Sequence, residues 1–231
     1  MMLLGRRFDV DAVIVDLDGT MVDTLGDFVV ALNLMLADLP TPYRNHQVDH
    51  ENVSRLVGKG SEHLLSSVLS LAGAQPGDLE AVYAQAWPSY QRHFLDINGQ
   101  HSMVYPGVVA GLQRLRAQGL KLACLTNKPT AFARPLLKAK GLDHFFEVSF
   151  GGDAFERKKP DPLPLLKTCE ALGTTPSRTL MIGDSSNDAQ AARAAGCPVL
   201  LVTYGYNHGQ PVRGVDADGF VDSLAVLAGG H

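Results

Sequence analysis

Three groups of residues in this chain have types and spacing that could do chemistry. The first is Asp16-Leu17-Asp18-Gly19-Thr20. Alternate residues leaving a strand point to the same side, so both carboxylates can face one cavity. Gly19 allows close backbone approach there. The second is Asp184 with Asp188, just after the apolar run Leu180-Met181-Ile182. Acidic residues at a helix start also serve as caps, and the sequence leaves both readings open. If the two clusters meet, Asp16, Asp18, Asp184 and Asp188 put four negative charges in one cleft, which is unfavourable unless cations compensate. Oxygen ligands of this kind suit Mg²⁺. The third group is positive or neutral. Lys159 stands in Arg157-Lys158-Lys159-Pro160-Asp161-Pro162, and Thr126-Asn127 ends another apolar run. A solvated basic loop accounts better for Arg157 and Lys158. Thr126, Asn127 and Pro129 could simply begin a helix. A hydroxyl and a helix N-terminus at a strand end can also hold phosphate oxygens.

Brought together, these parts form a phosphoryl-transfer site. One carboxylate can attack phosphorus, and a metal and a lysine can offset charge on the transferring group. A second carboxyl can protonate the leaving oxygen and then activate water. No Walker A sequence and no GxGxxG after a strand is present. The substrate is therefore expected to carry the phosphate itself, with no nucleotide site. The absence of a GxSxG elbow counts against a serine hydrolase.

Something must hold these groups at one edge. Val13 to Val15, Leu120 to Leu125, Val148 to Phe150, Leu180 to Ile182 and Val199 to Val202 are short continuous apolar runs, each ending in polar residues. Strands buried on both faces look like this. Helix-like stretches separate them: Val108 to Gln118, Thr130 to Lys140, Leu163 to Leu172 and Ser186 to Ala195, each followed by a glycine within two residues. The alternation predicts an α/β fold with a mostly parallel, doubly wound sheet, whose ligands bind beyond the carboxyl ends of the strands.

Residues from about Asp23 to Met103 read as helix throughout, broken at Pro40-Thr41-Pro42 and Gln75-Pro76-Gly77. The expected organisation is a core of residues 1–22 and 104–231 with a helical cap, 23–103, inserted over the sheet edge. Tyr83, Trp87 and Tyr90 have helical spacing and are expected in the cap's core. His46, His50, His63, His93 and His101 show no metal-like spacing on one helix.

The 231 residues are 45% hydrophobic and 19% charged, a globular composition. Twenty basic against 24 acidic residues give a formal charge of −4, so no general attraction to nucleic acid or an anionic membrane is expected. No apolar stretch is long enough to span a bilayer, and the opening residues do not have the order of a secretory signal. Cys124, Cys169 and Cys197 lie far apart without a CxxC, so neither zinc nor a disulfide framework is expected. A reducing cytoplasm is the expected compartment. Asn52-Val53-Ser54 matches the glycosylation sequon by chance. A monomer or homodimer is expected.

The order and spacing of DLDGT at Asp16 to Thr20, TN at Thr126-Asn127, KP at Lys159-Pro160 and GDSSND at Gly183 to Asp188 resemble the four motifs of the haloacid dehalogenase superfamily of phosphatases. Thr126-Asn127-Lys128-Pro129, Gly151-Gly152-Asp153, Lys159-Pro160-Asp161-Pro162, Thr203-Tyr204-Gly205-Tyr206-Asn207 and, in the insert, Val57-Gly58-Lys59-Gly60 are similar to the bacterial phosphoglycolate phosphatase family within it. The resemblance implies Asp16 as nucleophile and Asp18 as general acid/base. It implies Mg²⁺ held by the Asp16 side chain, the Asp18 backbone carbonyl and Asp184, with Asp188 a supporting or alternative ligand. Thr126 and Lys159 would hold phosphate with help from Asn127. Gly58 and Lys59 would belong to a substrate-facing cap loop, although many relatives have an uncharged residue where Lys59 stands. The substrate would be a small phosphorylated metabolite, 2-phosphoglycolate first among them. A related sugar-phosphate phosphatase, a mutase such as a β-phosphoglucomutase and a non-catalytic phosphate sensor are alternatives. A dehalogenase would leave Asp18 and Asp184 without a role. Arg55 and Lys59 are both surface candidates that could pair with a substrate carboxylate.

Overall fold

The computed structural model describes residues 2, 3 and 6–227. The expected outer bounds at 1 and 231, and part of the opening stretch weighed as a leader, lie outside the described residues. Every one of the five apolar runs forms a strand: β1 (Ala12–Val15), β2 (Lys121–Leu125), β3 (Val148–Phe150), β4 (Thr179–Gly183) and β5 (Val199–Val202). A sixth, β6 (Gly219–Val221), was not anticipated. All pair in parallel in the order β6-β5-β4-β1-β2-β3. β1 is central, with Val15 opposite Cys124 on one side and Ile182 on the other.

The strand residues divide by alternation. Val13, Val15, Leu122, Cys124, Leu180 and Ile182 face one buried apolar layer, and Ala12, Ile14, Ala123, Leu125 and Met181 face the other. A sheet apolar on both faces must be covered on both. Helices α5 (Val108–Ala117) and α6 (Thr130–Ala139) contribute Leu112, Leu115, Leu136 and Leu137 to the first layer. Helices α7 (Leu163–Leu172) and α8 (Ser186–Ala195) contribute Leu165, Leu172, Ala189 and Ala192 to the second. Gly173 and Gly196 end α7 and α8 in the left-handed conformation, which closes the last turn without a Cβ clash.

Between β1 and α5 lie four α-helices: α1 (Leu25–Asp38), α2 (His50–Leu56), α3 (Ser61–Leu71) and α4 (Leu79–Ile97). They surround their own apolar cluster, with Phe28, Leu32, Met35, Leu65, Leu69, Tyr90 and Phe94 at its centre and Tyr83 and Trp87 packed against it. Phe132 of α6 joins this cluster, its ring centroid 4.8 Å from that of Phe94. The chain enters and leaves the helices through an antiparallel ribbon, Val22–Asp23 against Met103–Val104. Helix α4 runs past Tyr90 to Ile97 despite Pro88; burial of Tyr90 and Phe94 outweighs the backbone hydrogen bond that proline removes. Among the described residues no helix is long and apolar enough to cross a membrane.

Candidate active site

The strand order reverses between β4 and β1, so the loops leaving these strands diverge and open a crevice at their carboxyl ends. Asp16 is the first residue beyond β1, and its backbone N–H donates to the Ile182 carbonyl at 2.9 Å. The loop after β2 brings Thr126, Asn127 and Lys128, and the loop after β4 brings Asp184 and the start of α8. Lys159 arrives on the segment between β3 and α7. These loops and the Val57–Leu64 region of the helical insert line a narrow cleft that includes Asp16, Asp18, Thr126, Lys159 and Asp188.

Asp16, Asp184 and Asp188 each offer a carboxylate oxygen within 4.8 Å of the others, and all three are buried. Lys159 Nζ hydrogen-bonds the Leu125 carbonyl at 2.9 Å and Asp188 Oδ1 at 2.7 Å. It also stands 2.9 Å from Asp16 Oδ1. That third approach is an ion pair out of line for a hydrogen bond, so Asp16 Oδ1 is a buried oxygen without an aligned donor. The other Asp188 oxygen is fully used: it accepts from the Asp184 and Ser185 backbone N–H groups at 3.2 and 3.1 Å and from the Ser185 hydroxyl at 2.8 Å. Asp188 therefore both caps α8, closing a capping box with Ser185, and anchors Lys159. Of the two readings that the sequence left open for this residue, the cap is present, and the same side chain stands in the acidic cluster with Asp16 and Asp184.

Asp184 Oδ2 accepts from the Tyr206 backbone N–H at 2.7 Å, and the Thr20 hydroxyl lies 3.4 Å from Oδ1. Gly19 and Gly205 hold it from both sides. Gly19 has φ +81°, and a Cβ there would lie 2.4 Å from Asp184 Oδ2; a Cβ on Gly205 would lie 2.1 Å from Asp184 Cβ. Asp18 points elsewhere. Its Oδ1 accepts from the Thr24 hydroxyl at 2.7 Å and from Lys128 Nζ at 3.0 Å. Its carboxylate thus stands apart from the cluster formed by Asp16, Asp184 and Asp188.

Thr126 is buried and accepts the Lys128 backbone N–H at 3.2 Å, leaving its hydroxyl hydrogen free to donate. Asn127 is occupied with bracing: Oδ1 accepts the Lys159 N–H at 3.0 Å, while Nδ2 donates to the Lys159 and Gly58 carbonyls at 2.8 and 3.0 Å. It fixes Lys159 and joins that loop to the insert, which differs from direct phosphate contact. Gly58 lines the cleft, but Lys59 is exposed and outside the lining. Arg55 is exposed and pairs with Glu51. Lys128, Thr24 and Tyr206 went unrecognised in the sequence. The alternation that links Asp16 to Asp18 also links Thr126 to Lys128, and that signal could have found the lysine.

Charge balance within the cluster is negative. Burial, reinforced by the Asp188 and Asp18 charges and only partly opposed by Lys159, pushes Asp16 up to about 7. Burial and the Asp188 and Asp16 charges raise Asp184 well above the ordinary carboxylate range. Burial opposes the charge on Lys159, but Asp16 and Asp188 outweigh it and its affinity for a proton rises. Donorless Asp16 Oδ1 and an all-oxygen donor set suit a hard divalent cation. Asp16 goes from about 3.8 to about 7 on folding, so ionising it opposes folding as pH rises through that window. A cation that binds the ionised cluster removes the penalty. Mg²⁺ at a hundredfold excess over Kd is expected to add about 2.7 kcal/mol, or roughly 5–10 °C in Tm. Thermal melts should show this gain near pH 8 and a much smaller one near pH 5.

Comparison with known proteins identifies the family. The haloacid dehalogenase-like hydrolase family model matches residues 10–196. A phosphoglycolate phosphatase of Thiobacillus denitrificans is 47% identical over 220 residues, covering 95% of this chain and 94% of that protein. A plasmid-borne phosphoglycolate phosphatase of Cupriavidus necator is 44% identical over 216 residues, covering 94% and 90%. The crystal structure of a predicted phosphoglycolate phosphatase from Haemophilus somnus superimposes with a TM-score of 0.82 at 33% identity, covering 94% of this chain and 96% of that one. The sheet order, the strand-end acids and these likenesses converge: the chain belongs to the haloacid dehalogenase-like hydrolase family.

Proposed function

We propose that the chain is a Mg²⁺-dependent phosphomonoester hydrolase that cleaves 2-phosphoglycolate to glycolate and orthophosphate. The observation that carries the reading is the buried Asp16 carboxylate, with Oδ1 lacking a hydrogen-bond donor, beside Lys159 and Asp184 in a small cleft. The relatives named phosphoglycolate phosphatase at 47% and 44% identity supply the substrate.

An Asp16 oxygen attacks phosphorus and the ester P–O bond breaks, leaving an aspartyl-phosphate. Asp18 gives its proton to the departing oxygen. The Asp18 carboxylate then takes a proton from water, whose oxygen attacks phosphorus and releases Asp16 and orthophosphate. Lys159 Nζ and the free Thr126 hydroxyl hydrogen bind phosphoryl oxygens. Asp16, Asp184 and the Asp18 backbone carbonyl would hold Mg²⁺, with Asp188 supporting. When bound, the ion supplies positive charge that keeps Asp16 ionised and stabilises charge on the transferring group.

Residues 23–103 act as a cap over this cleft. Its Gly58 carbonyl accepts from Asn127 and from Asn187 at 3.1 Å, and its Glu62 pairs with Lys158. Buried free thiols at Cys124, Cys169 and Cys197 suit a reducing cytoplasm.

Orthophosphate release across a panel of phosphomonoesters tests the function. The expected result is highest kcat/KM for 2-phosphoglycolate, a drop of about a hundredfold or more in EDTA, and recovery on adding Mg²⁺. Activity indifferent to EDTA, or a clear preference for hexose phosphates, contradicts it.

A further inference from the structure

Lys128 is a buried ammonium to which the proposed reaction assigns no role. It lines the cleft, and its side chain is 1% exposed. Nζ is 3.0 Å from Asp18 Oδ1, which is its one ion-pair partner among the described residues. The same Nζ lies 4.2 Å from the Phe28 ring centroid and 4.6 Å from that of Phe94. Aromatic faces attract a cation but carry no net charge.

An ammonium carries three N–H donors, and Asp18 Oδ1 takes one of them. The Phe28 and Phe94 ring faces offer no lone pair, so among the described residues the other two N–H groups of this desolvated ammonium have no oxygen partner, an unfavourable state. Lys159 does not share the difficulty, since Asp16 and Asp188 both face it. The cleft thus holds an ammonium with spare donors beside the residue that protonates the leaving group. An anionic group on the substrate would match it.

We propose that Lys128 is the specificity-determining residue that binds a second anionic group of the substrate, a carboxylate on the carbon that bears the ester oxygen. The inference rests on the function proposed above, because Asp18 marks where that oxygen sits. A carboxylate one carbon from it reaches the ammonium next to Asp18. Short esters with no such group leave Lys128 unmatched. Phe28 and Leu64 on the cleft wall restrict bulkier ones.

The test compares kcat/KM for 2-phosphoglycolate and for ethyl phosphate, which lacks the carboxylate. Wild-type protein is expected to prefer 2-phosphoglycolate. Lys128→Met and Lys128→Gln should each shrink that preference about 10- to 100-fold, the scale of a charge-assisted hydrogen bond. Lys128→Arg should keep most of it. If the neutral variants slow both esters by the same factor, Lys128 acts through Asp18 alone and the inference is overturned, while the 2-phosphoglycolate reading survives. If wild-type protein shows no preference between the esters, that reading fails and takes the inference with it. Should neither neutral variant fold, inhibition of the wild type and of Lys128→Arg decides the matter. Phosphonoacetate should bind the wild type about 10- to 100-fold more tightly than ethylphosphonate, and Lys128→Arg should keep most of that factor. Equal binding of the two phosphonates by the wild type overturns the proposal.

Discussion

Asp16→Asn is expected to lower kcat roughly 10⁵- to 10⁶-fold, the scale of removing a nucleophile from a site whose other parts remain. The amide fits the same space and keeps the backbone hydrogen bond to Ile182, so the fold should persist. Stability gives the control. Asp16 is one of three buried acids whose oxygens crowd within 4.8 Å, and Asp188 still pairs with Lys159 in the variant. Deleting one charge relieves like-charge repulsion. Metal-free Asp16→Asn should therefore melt a few degrees higher than the wild type near pH 8, where wild-type Asp16 is ionised, and show little gain near pH 5. An inactive variant that also melted lower would indicate a structural role. Near-normal turnover would dismiss the nucleophile assignment.

Lys159→Met should act on both rate and stability. The ammonium touches Asp16, Asp188 and the Leu125 carbonyl. Its removal takes a cation from the transferring phosphoryl group, expected to lower kcat about 10²- to 10³-fold. It also strands two buried carboxylates. Breaking a buried ion pair from one side costs about 3–5 kcal/mol, or roughly 6–20 °C in Tm for a chain of this size. The deficit should be largest near pH 8 and smaller near pH 5, where a proton on Asp16 takes over part of the lost compensation. A uniform deficit at both pH values would mean that the lysine contributes packing only.

Much of this site was legible because its chemistry depends on side-chain type at strand ends. Asp16, Thr126 and Asp184 follow apolar runs that could only be buried strands, and a parallel sheet brings such ends to one edge. Strand β6 was hidden: Gly219-Phe220-Val221 is short, begins with glycine and lies at the sheet's edge, where packing leaves little pattern. Lys128 was hidden for another reason. A lysine is read as a surface residue, and only the folded cluster of Phe28, Phe94 and Asp18 makes a burial site for it. Lys59 is the reverse case, a lysine in a glycine-flanked loop of the insert whose side chain ends up exposed. Tyr206 reaches Asp184 through its backbone N–H, a contact that almost any residue could make and that leaves no trace in residue type. Asn127 was recognised as belonging to the site, but the backbone carbonyls it braces come from Gly58 and Lys159, distant in the chain.

The central claim is that Asp16 becomes covalently phosphorylated. Acid quenching during turnover of 2-phosphoglycolate, followed by borohydride reduction and peptide mass spectrometry, tests it directly. An acyl-phosphate should convert residue 16 to the reduced homoserine form in quenched, substrate-treated protein and in no other sample. Turnover with no modified peptide, or with the modification at Asp18, Asp184 or Asp188 instead, would contradict the account.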